Sequence, residues 1–286
     1  MKKIISYWSM EHGLEGTHSI DDALEQAQAA GFDGLELCVG VEGVLTPATS
    51  QSECDGMRRQ VDDSGLLVET LASGMSWAFN PTSNDAAVRQ KAIDLHSAAL
   101  ERAAWLGCQA MLAVPGVVTS PIAPNERVRY DVAVDRARQF ATQLLETAEQ
   151  VGVDLCLENV WNGLFYSPLE WCDFIDSFGS DRLGVYFDVG NVLGYQQDPA
   201  HWIELLDQRI KRVHVKDYRE EFGWDGRYSF CDLGEGDLPA ERTFAALREI
   251  GYDSTVVAEM LPYAPGRLDK TSQVLGEWLA AASSGN

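Results

Sequence analysis

Four side chains able to hold a cation or move a proton end four successive strand-like runs. They are Glu158 in DLCLEN (154–159), Asp188 in GVYFDVGN (184–191), His214 in KRVHVKD (211–217) and Glu259 in TVVAEM (255–260). Each run is short and largely apolar, and a helix-sized stretch separates it from the next. A strand–helix repeat that ends its strands this way gathers three carboxylates and one imidazole in one pocket. That donor set suits one hard or borderline divalent ion, Mn²⁺ first, with Mg²⁺, Co²⁺ or Zn²⁺ as alternatives.

The elements that must position these groups recur along the chain. Strand candidates are IISYW (4–8), GLELCV (34–39), LVETLAS (67–73) and AMLAVPG (110–116), followed by the four runs above. Helical spacing of apolar residues appears between them, over 19–30, 83–106, 126–150, 167–178 and 239–250. Ser19 is a natural cap for the first of these helices. Ser167-Pro168 supplies a cap followed by proline at the first helical position. Eight strands alternating with helices predict one (β/α)₈ TIM-barrel domain spanning 1–286. An open doubly wound sheet is the rival, but SMEHGLEG after the first strand lacks the Gly-rich phosphate turn of that fold. The polar residues gather instead at the C-terminal ends of strands five to eight, where barrel enzymes place their chemistry. The segment 218–236, YREEFGWDGRYSFCDLGEG, is the longest stretch without a helix or strand pattern and reads as a lid or binding loop.

Composition narrows the function. With 22 basic and 44 acidic residues, the net charge is −22. A protein that neutralises phosphates needs a basic stripe, so nucleic acid is not an expected partner. The charge also argues against anionic lipid, and no run reaches the ~20 apolar residues of a membrane span. MKKIISYWSMEHG has too short an apolar run for a secretory signal, so the cytoplasm is the expected compartment. The six cysteines include no CxxC pair, and Cys38 and Cys156 sit in apolar strand runs as small hydrophobes.

The strings LEN (157–159), DVGN (188–191), HVKD (214–217), LGEGD (233–237), LREIGYDS (247–254) and AEM (258–260) occur in this order. Together with GFDGLEL (31–37), they resemble the xylose isomerase-like TIM-barrel superfamily. Within it the chain is most similar to pentulose-5-phosphate 3-epimerases and ketose 3-epimerases. The resemblance implies that Glu158, Asp188, His214 and Glu259 ligate the metal. It further implies that Glu158 and Glu259 exchange the substrate proton on opposite faces. The implied reaction is 3-epimerisation of a ketose or ketose phosphate through a metal-stabilised cis-enediolate. Two positions depart from the ketose 3-epimerase pattern: Asn191 stands in place of a histidine and Glu220 in place of an arginine. The DVGN and HVKD forms are closer to the phosphopentulose enzymes, and inosose dehydratases share HVKD-like strings.

The chemistry asks for these residue types. Epimerisation beside a carbonyl removes a weakly acidic C–H proton, and a divalent ion stabilises the oxyanion that results. Delivery of a proton to the other face needs a second carboxylate. Around that core, Lys216 follows His214 by two residues and so points to the same side. It is expected to meet a substrate oxygen or phosphate. Asn191, Glu36, Trp8, His12 and Trp161 are the other expected substrate contacts, and Trp77, Phe79 and Phe187 are further candidates for aromatic walls. Glu36 is expected at the catalytic rim, binding hydroxyls or orienting Lys216 or His12. Arg219, Arg227 and the N–H groups near Gly234 and Gly236 are candidate phosphate partners. The expected partner is a small sugar or sugar phosphate; self-association is left open. Three alternatives stand beside epimerisation: a lyase or dehydratase on a keto-sugar or keto-cyclitol, a zinc endonuclease and a non-catalytic sugar binder. The endonuclease needs more histidines and a basic surface.

Overall fold

A computed structural model describes residues 1–120, 126–221 and 227–284. Eight parallel strands close into a barrel. In chain order they begin with β1 (Lys2–Ser6), β2 (Gly34–Val39), β3 (Thr70–Ser73), β4 (Ala110–Ala113), β5 (Asp154–Glu158), β6 (Leu183–Asp188) and β7 (Ile210–Val215). A two-stranded excursion, β8 (Asp217–Glu221) and β9 (Arg227–Cys231), precedes the last barrel strand, β10 (Thr255–Ala258). Around the barrel the order is β1, β10, β7, β6, β5, β4, β3, β2, closing on β1. The helices are α1 (Ile20–Ala29), α2 (Gln51–Ser64), α3 (Ala86–Leu106), α4 (Tyr130–Val151), α5 (Pro168–Asp176), α6 (Val189–Leu193), α7 (Pro199–Leu206), α8 (Ala240–Glu249) and α9 (Arg267–Ser284). Among the described residues no helix is long and apolar enough to cross a membrane.

Local sequence accounts for the element boundaries. Ser19 caps α1 through Asp22 N, and Ser167 caps α5 through Leu169 N with Pro168 in its first turn. Gly107 and Gly152 end α3 and α4 in the left-handed conformation that a side chain resists. The expected first strand 4–8 is shifted, because Tyr7–Ser9 already turns into a 3₁₀ helix capped by Ser6. The strands are buried on both faces, as a barrel wrapped by helices requires. LGVYFD of β6 is buried throughout.

Alternation along β6 divides its side chains between two layers. Phe187 points outward and stacks on Trp202 of α7, with ring centroids 6.2 Å apart. It therefore belongs to the core between barrel and helices and is not the pocket wall considered above. Burial of each such large apolar side chain stabilises the fold by roughly 1.5–3 kcal/mol. Tyr186 and Asp188, on the other phase, face the barrel interior.

The segment expected as an irregular lid is in large part a hairpin. β8 and β9 pair antiparallel, with Asp217 opposite Cys231 and Tyr218 opposite Phe230. Asp217 anchors its base. One carboxylate oxygen accepts from Tyr218 N (2.8 Å) and Leu238 N (3.1 Å), the other from Gly234 N (2.9 Å) and Gly236 N (3.0 Å). A Cβ at Gly236 would lie 2.2 Å from this carboxylate, so only glycine permits the approach. Asp217→Ala leaves four donors without an acceptor, the Tyr218 and Leu238 N–H groups buried and those of Gly234 and Gly236 part-buried, at about 1–3 kcal/mol each where water cannot reach. We expect the variant to lose at least ~2 kcal/mol in urea unfolding, with hydrogen exchange rising first in the 217–238 segment. Unchanged stability and exchange would contradict the anchoring role.

Candidate metal centre

The four predicted ligands converge at the C-terminal mouth of the barrel. Glu158 is the last residue of β5, Asp188 the last of β6, His214 the penultimate residue of β7, and Glu259 follows β10. These strands are neighbours, and Asp188 lies directly opposite His214 in the sheet. Glu259 extends the ladder by donating its N–H to Val215 O at 3.0 Å. All four side chains are buried, and one ligand atom from each falls within 4.8 Å of the others. From His214 Nδ1 the distances are 3.7 Å to Glu158, 4.0 Å to Asp188 and 3.9 Å to Glu259. These are too long for hydrogen bonds but match the spacing of oxygen and nitrogen ligands around one small cation.

Two further observations fit a divalent ion. His214 Nδ1 is buried and has no hydrogen-bond partner among the described residues. Asp188 Oδ1 accepts from Asn191 N at 2.9 Å, while Oδ2 turns inward and meets only the Lys216 ammonium, at 2.8 Å and without hydrogen-bond alignment. Lys216 also pairs with Glu259. When ionised, three carboxylates against one ammonium leave two formal negative charges in a buried site. A single divalent cation cancels them.

The other predicted residues separate into those the fold brings to the mouth and those it does not. Lys216 is at the mouth as alternation required, its Nζ 5.1 Å from the Phe230 ring centroid. Trp161 stacks on Phe230 at 4.9 Å and meets Tyr218 edge-on, which ties the hairpin to the β5 side of the mouth. Its indole N–H donates to Asn191 O. Trp8 lies half-buried after β1, against Gly74.

Three expectations need correction. Glu36 is fully buried beneath His214 rather than at the rim, and all its contacts are internal. Asn191 is 2% exposed, and its amide donates to Asn159 O, so it serves the scaffold. His12, by contrast, keeps its expected part as a substrate contact: it sits exposed in the turn after β1, at φ +57°. The turn at Gly234 and Gly236 is no free anion nest, because Asp217 already fills it. Arg219 donates to Glu235 O, and the side chain of Arg227 lies outside the described residues.

Supporting residues that sequence reasoning passed over include Asn159, Ser9, Thr70 and Tyr186. The Asn159 amide clasps the backbone of Asp188, donating to its O at 2.9 Å and accepting from its N at 2.8 Å. Ser9 Oγ accepts from Met260 N, next to Glu259. Period-two alternation marks Tyr186 as sharing a face with Asp188. Nothing in the sequence says which residue it meets across the barrel.

The electrostatics of the cluster are unequal. Burial, with Glu259 adding repulsion, pushes the Glu158 carboxyl up to about 7. Burial also raises Asp188, against the pull of Lys216. It works in the same direction on Glu259, but Lys216 and His214 outweigh it and hold that carboxyl below its usual range. For His214 burial disfavours the charge, yet the surrounding carboxylates, Glu36 first, prevail and hold the imidazole well above 6.5. A protonated imidazole cannot ligate, so metal uptake must release the His214 Nδ1 proton. We therefore expect Mn²⁺ affinity to weaken as pH falls through neutrality, with proton release visible when calorimetry is repeated in buffers of different ionisation enthalpy. The raised carboxyl of Glu158 contributes stability that is fully present below 4.5 and lost as pH rises through about 7. Raised His214 acts in the same direction from 6.5 upward. Chelated protein should accordingly melt lower on the alkaline side of pH 7, and added Mn²⁺ should reverse the loss. Metal affinity independent of pH would contradict this assignment.

Comparison with known proteins agrees with the geometry. The family model described as "Xylose isomerase-like TIM barrel" matches residues 24–281. The chain is 28% identical over 250 residues to the protein MJ1311 of Methanocaldococcus jannaschii, covering 84% of this chain and 79% of that one. It is 24% identical over 241 residues to the L-ribulose-5-phosphate 3-epimerase UlaE of Escherichia coli, covering 84% and 81%. The solved structure of D-psicose 3-epimerase with D-tagatose from Clostridium cellulolyticum superposes with a TM-score of 0.82 at 19% identity, covering 99% of both chains. With its closed barrel and its acidic, single-imidazole mouth, this chain belongs to the xylose isomerase-like TIM-barrel family.

Proposed function

We propose that this protein is a divalent-metal-dependent sugar epimerase or isomerase, and specifically that it inverts the carbon next to the carbonyl of a ketose or ketose phosphate. One observation carries the reading. Glu158 and Glu259 enter the mouth from strands three places apart around the barrel, yet their carboxylates meet Asp188 and His214 within 4.8 Å. A metal site alone needs no such approach from two sides. Inversion does, because the proton leaves from one face and returns to the other. The names of the relatives, L-ribulose-5-phosphate 3-epimerase and D-psicose 3-epimerase, support the same reading.

The residues divide the work as follows. Asp188, His214, Glu158 and Glu259 would hold the ion, and of these Asp188 and His214 take no part in proton transfer. The bound ion supplies Lewis-acid stabilisation of the substrate oxygens. One glutamate takes the C3 proton, and the C–H electron pair moves into the C2–C3 bond while the carbonyl electrons pass to O2. The other glutamate then protonates C3 from the opposite side as the carbonyl re-forms. Proton count and charge balance, and the roles exchange for the reverse reaction. Such a pair works best with one carboxyl protonated and one ionised. The environments of the metal-free site differ in that direction, raising Glu158 and lowering Glu259. Lys216, beside Asp188 and Glu259, is placed to donate to a substrate oxygen. Trp161 and Phe230, stacked on each other beside Lys216, are the candidate apolar wall for the sugar carbons. With the Gly234–Gly236 turn filled by Asp217, a phosphate, where the substrate carries one, must find other donors.

The test uses a panel of ketoses and ketose phosphates in D₂O with Mn²⁺ at saturation. Wild-type protein should invert C3 and introduce deuterium there. Glu158→Gln and Glu259→Gln should each lower turnover by ~10²–10⁴. Each one-sided variant should still exchange the C3 hydrogen of the isomer facing its surviving carboxylate, without inversion. Full activity in both variants with metal bound would remove the pair from the mechanism. Elimination of water in place of exchange would favour the lyase.

A further inference from the structure

We propose that Glu36 is a positioning residue that sets the orientation and tautomer of the metal-facing imidazole. The inference rests on the reading of His214 as a metal ligand. Glu36 lies on β2, three places away from β7 around the barrel, with β1 and β10 between them. Its carboxylate crosses the interior and meets His214 Nε2 through Oε1 at 2.8 Å. An ionised carboxylate only accepts, so Nε2 carries the hydrogen. The lone pair of the neutral ring is then on Nδ1, the atom that faces Glu158, Asp188 and Glu259.

Glu36 is itself held. Its Oε2 accepts from Thr70 Oγ1 at 2.9 Å and from the Tyr186 hydroxyl. The Tyr186 ring also packs edge-on against the His214 ring, with centroids 4.5 Å apart, and restricts its rotation. Residues from β2, β3, β6 and β7 thus join in one fully buried hydrogen-bonded group below the ligands. Among the described residues the imidazole has no other hydrogen bond. Without Glu36, ring flips and the alternative tautomer, with hydrogen on Nδ1 and no lone pair toward the carboxylates, become accessible.

Glu36→Gln tests this with little change of volume. Glutamine can turn either its oxygen or its amide NH2 toward Nε2, so it accepts in one orientation and donates in the other, and the Thr70 and Tyr186 hydroxyls can rotate to suit either. The charge that selects the tautomer is gone. We expect Mn²⁺ affinity, measured by chelator competition, to weaken ~10–100-fold, as for other carboxylates that support a metal-bound histidine. The metal-free melting temperature should stay close to wild type. In ¹⁵N-labelled metal-free protein at alkaline pH, the His214 ring signals should move from the Nε2–H pattern toward a mixture. A purely structural Glu36 would lower the melting temperature and leave the affinity of the folded fraction unchanged. Unchanged Mn²⁺ affinity together with a wild-type tautomer pattern overturns the proposal. Should Glu36→Gln fail to fold, Tyr186→Phe decides, since it removes one donor to Glu36 and keeps the ring: weaker Mn²⁺ binding at unchanged stability supports positioning, and unchanged affinity overturns it. Wild-type protein that binds no Mn²⁺ overturns the metal-centre reading and this inference with it. Wild-type binding with unaffected variants overturns this inference alone.

Discussion

Burial of like charges is the constraint on which the rest of this structure depends. Glu158, Asp188 and Glu259 bring three carboxylates out of water and within 4.8 Å of one another, with Glu36 buried just below. Two unit charges ~4 Å apart in protein interact by roughly 4 kcal/mol, and each ion also loses hydration worth several kcal/mol. No fold of ordinary stability holds such a cluster without compensation. The chain supplies part of it through Lys216, and part by raising the affinity of Glu158 and His214 for protons. A divalent ion would supply the remainder. Metal affinity and proton affinity at this mouth are two expressions of one charge deficit.

The scaffold is organised to keep that deficit in place. Local hydrogen bonds fix the chain around these groups, and at Asp188 they use one carboxylate oxygen and leave the other for the site. Asp188 uses Oδ1 to cap α6 and turns Oδ2 inward. The Asn159 amide locks the Asp188 backbone, and Ser9 holds the backbone just beyond Glu259. Asp217 does a different task with the same chemistry. Its carboxylate is satisfied by backbone N–H groups, so it anchors the hairpin without adding a further unpaired charge to the mouth. Two aspartates of similar burial thus serve opposite ends, and the difference lies in the number of donors each meets.

The hairpin relates the mouth to its surroundings. Phe230 on β9 stacks on Trp161, and Lys216 lies between Phe230 and the carboxylates. The cation that balances the site is therefore roofed by an aromatic cluster, where a guanidinium or ammonium gains both π contact and reduced hydration. Access to the ligands and the position of Lys216 are coupled through these rings.

The sequence by itself determined the repeat, the barrel, and the gathering of Glu158, Asp188, His214 and Glu259 at one mouth. Those follow from short-range rules. Apolar runs at strand length, helical spacing, and Ser or Pro at helix starts are local properties, and the last polar residue of a parallel strand must emerge at the barrel's C-terminal mouth. Alternation alone placed Lys216 on the face of His214. What only the tertiary structure decided were the contacts made across the barrel and between loops. Glu36 and His214 are 178 residues apart, and no local rule distinguishes a carboxylate at the rim from one buried beneath a ligand. The same limit explains Asn191, whose amide was taken by Asn159, and the Gly234–Gly236 turn, whose N–H groups were taken by Asp217. In each case the residue type announced a hydrogen-bonding capacity. Closure of the barrel determined which partner satisfied it, because a buried polar group must bond to whatever the fold places within reach.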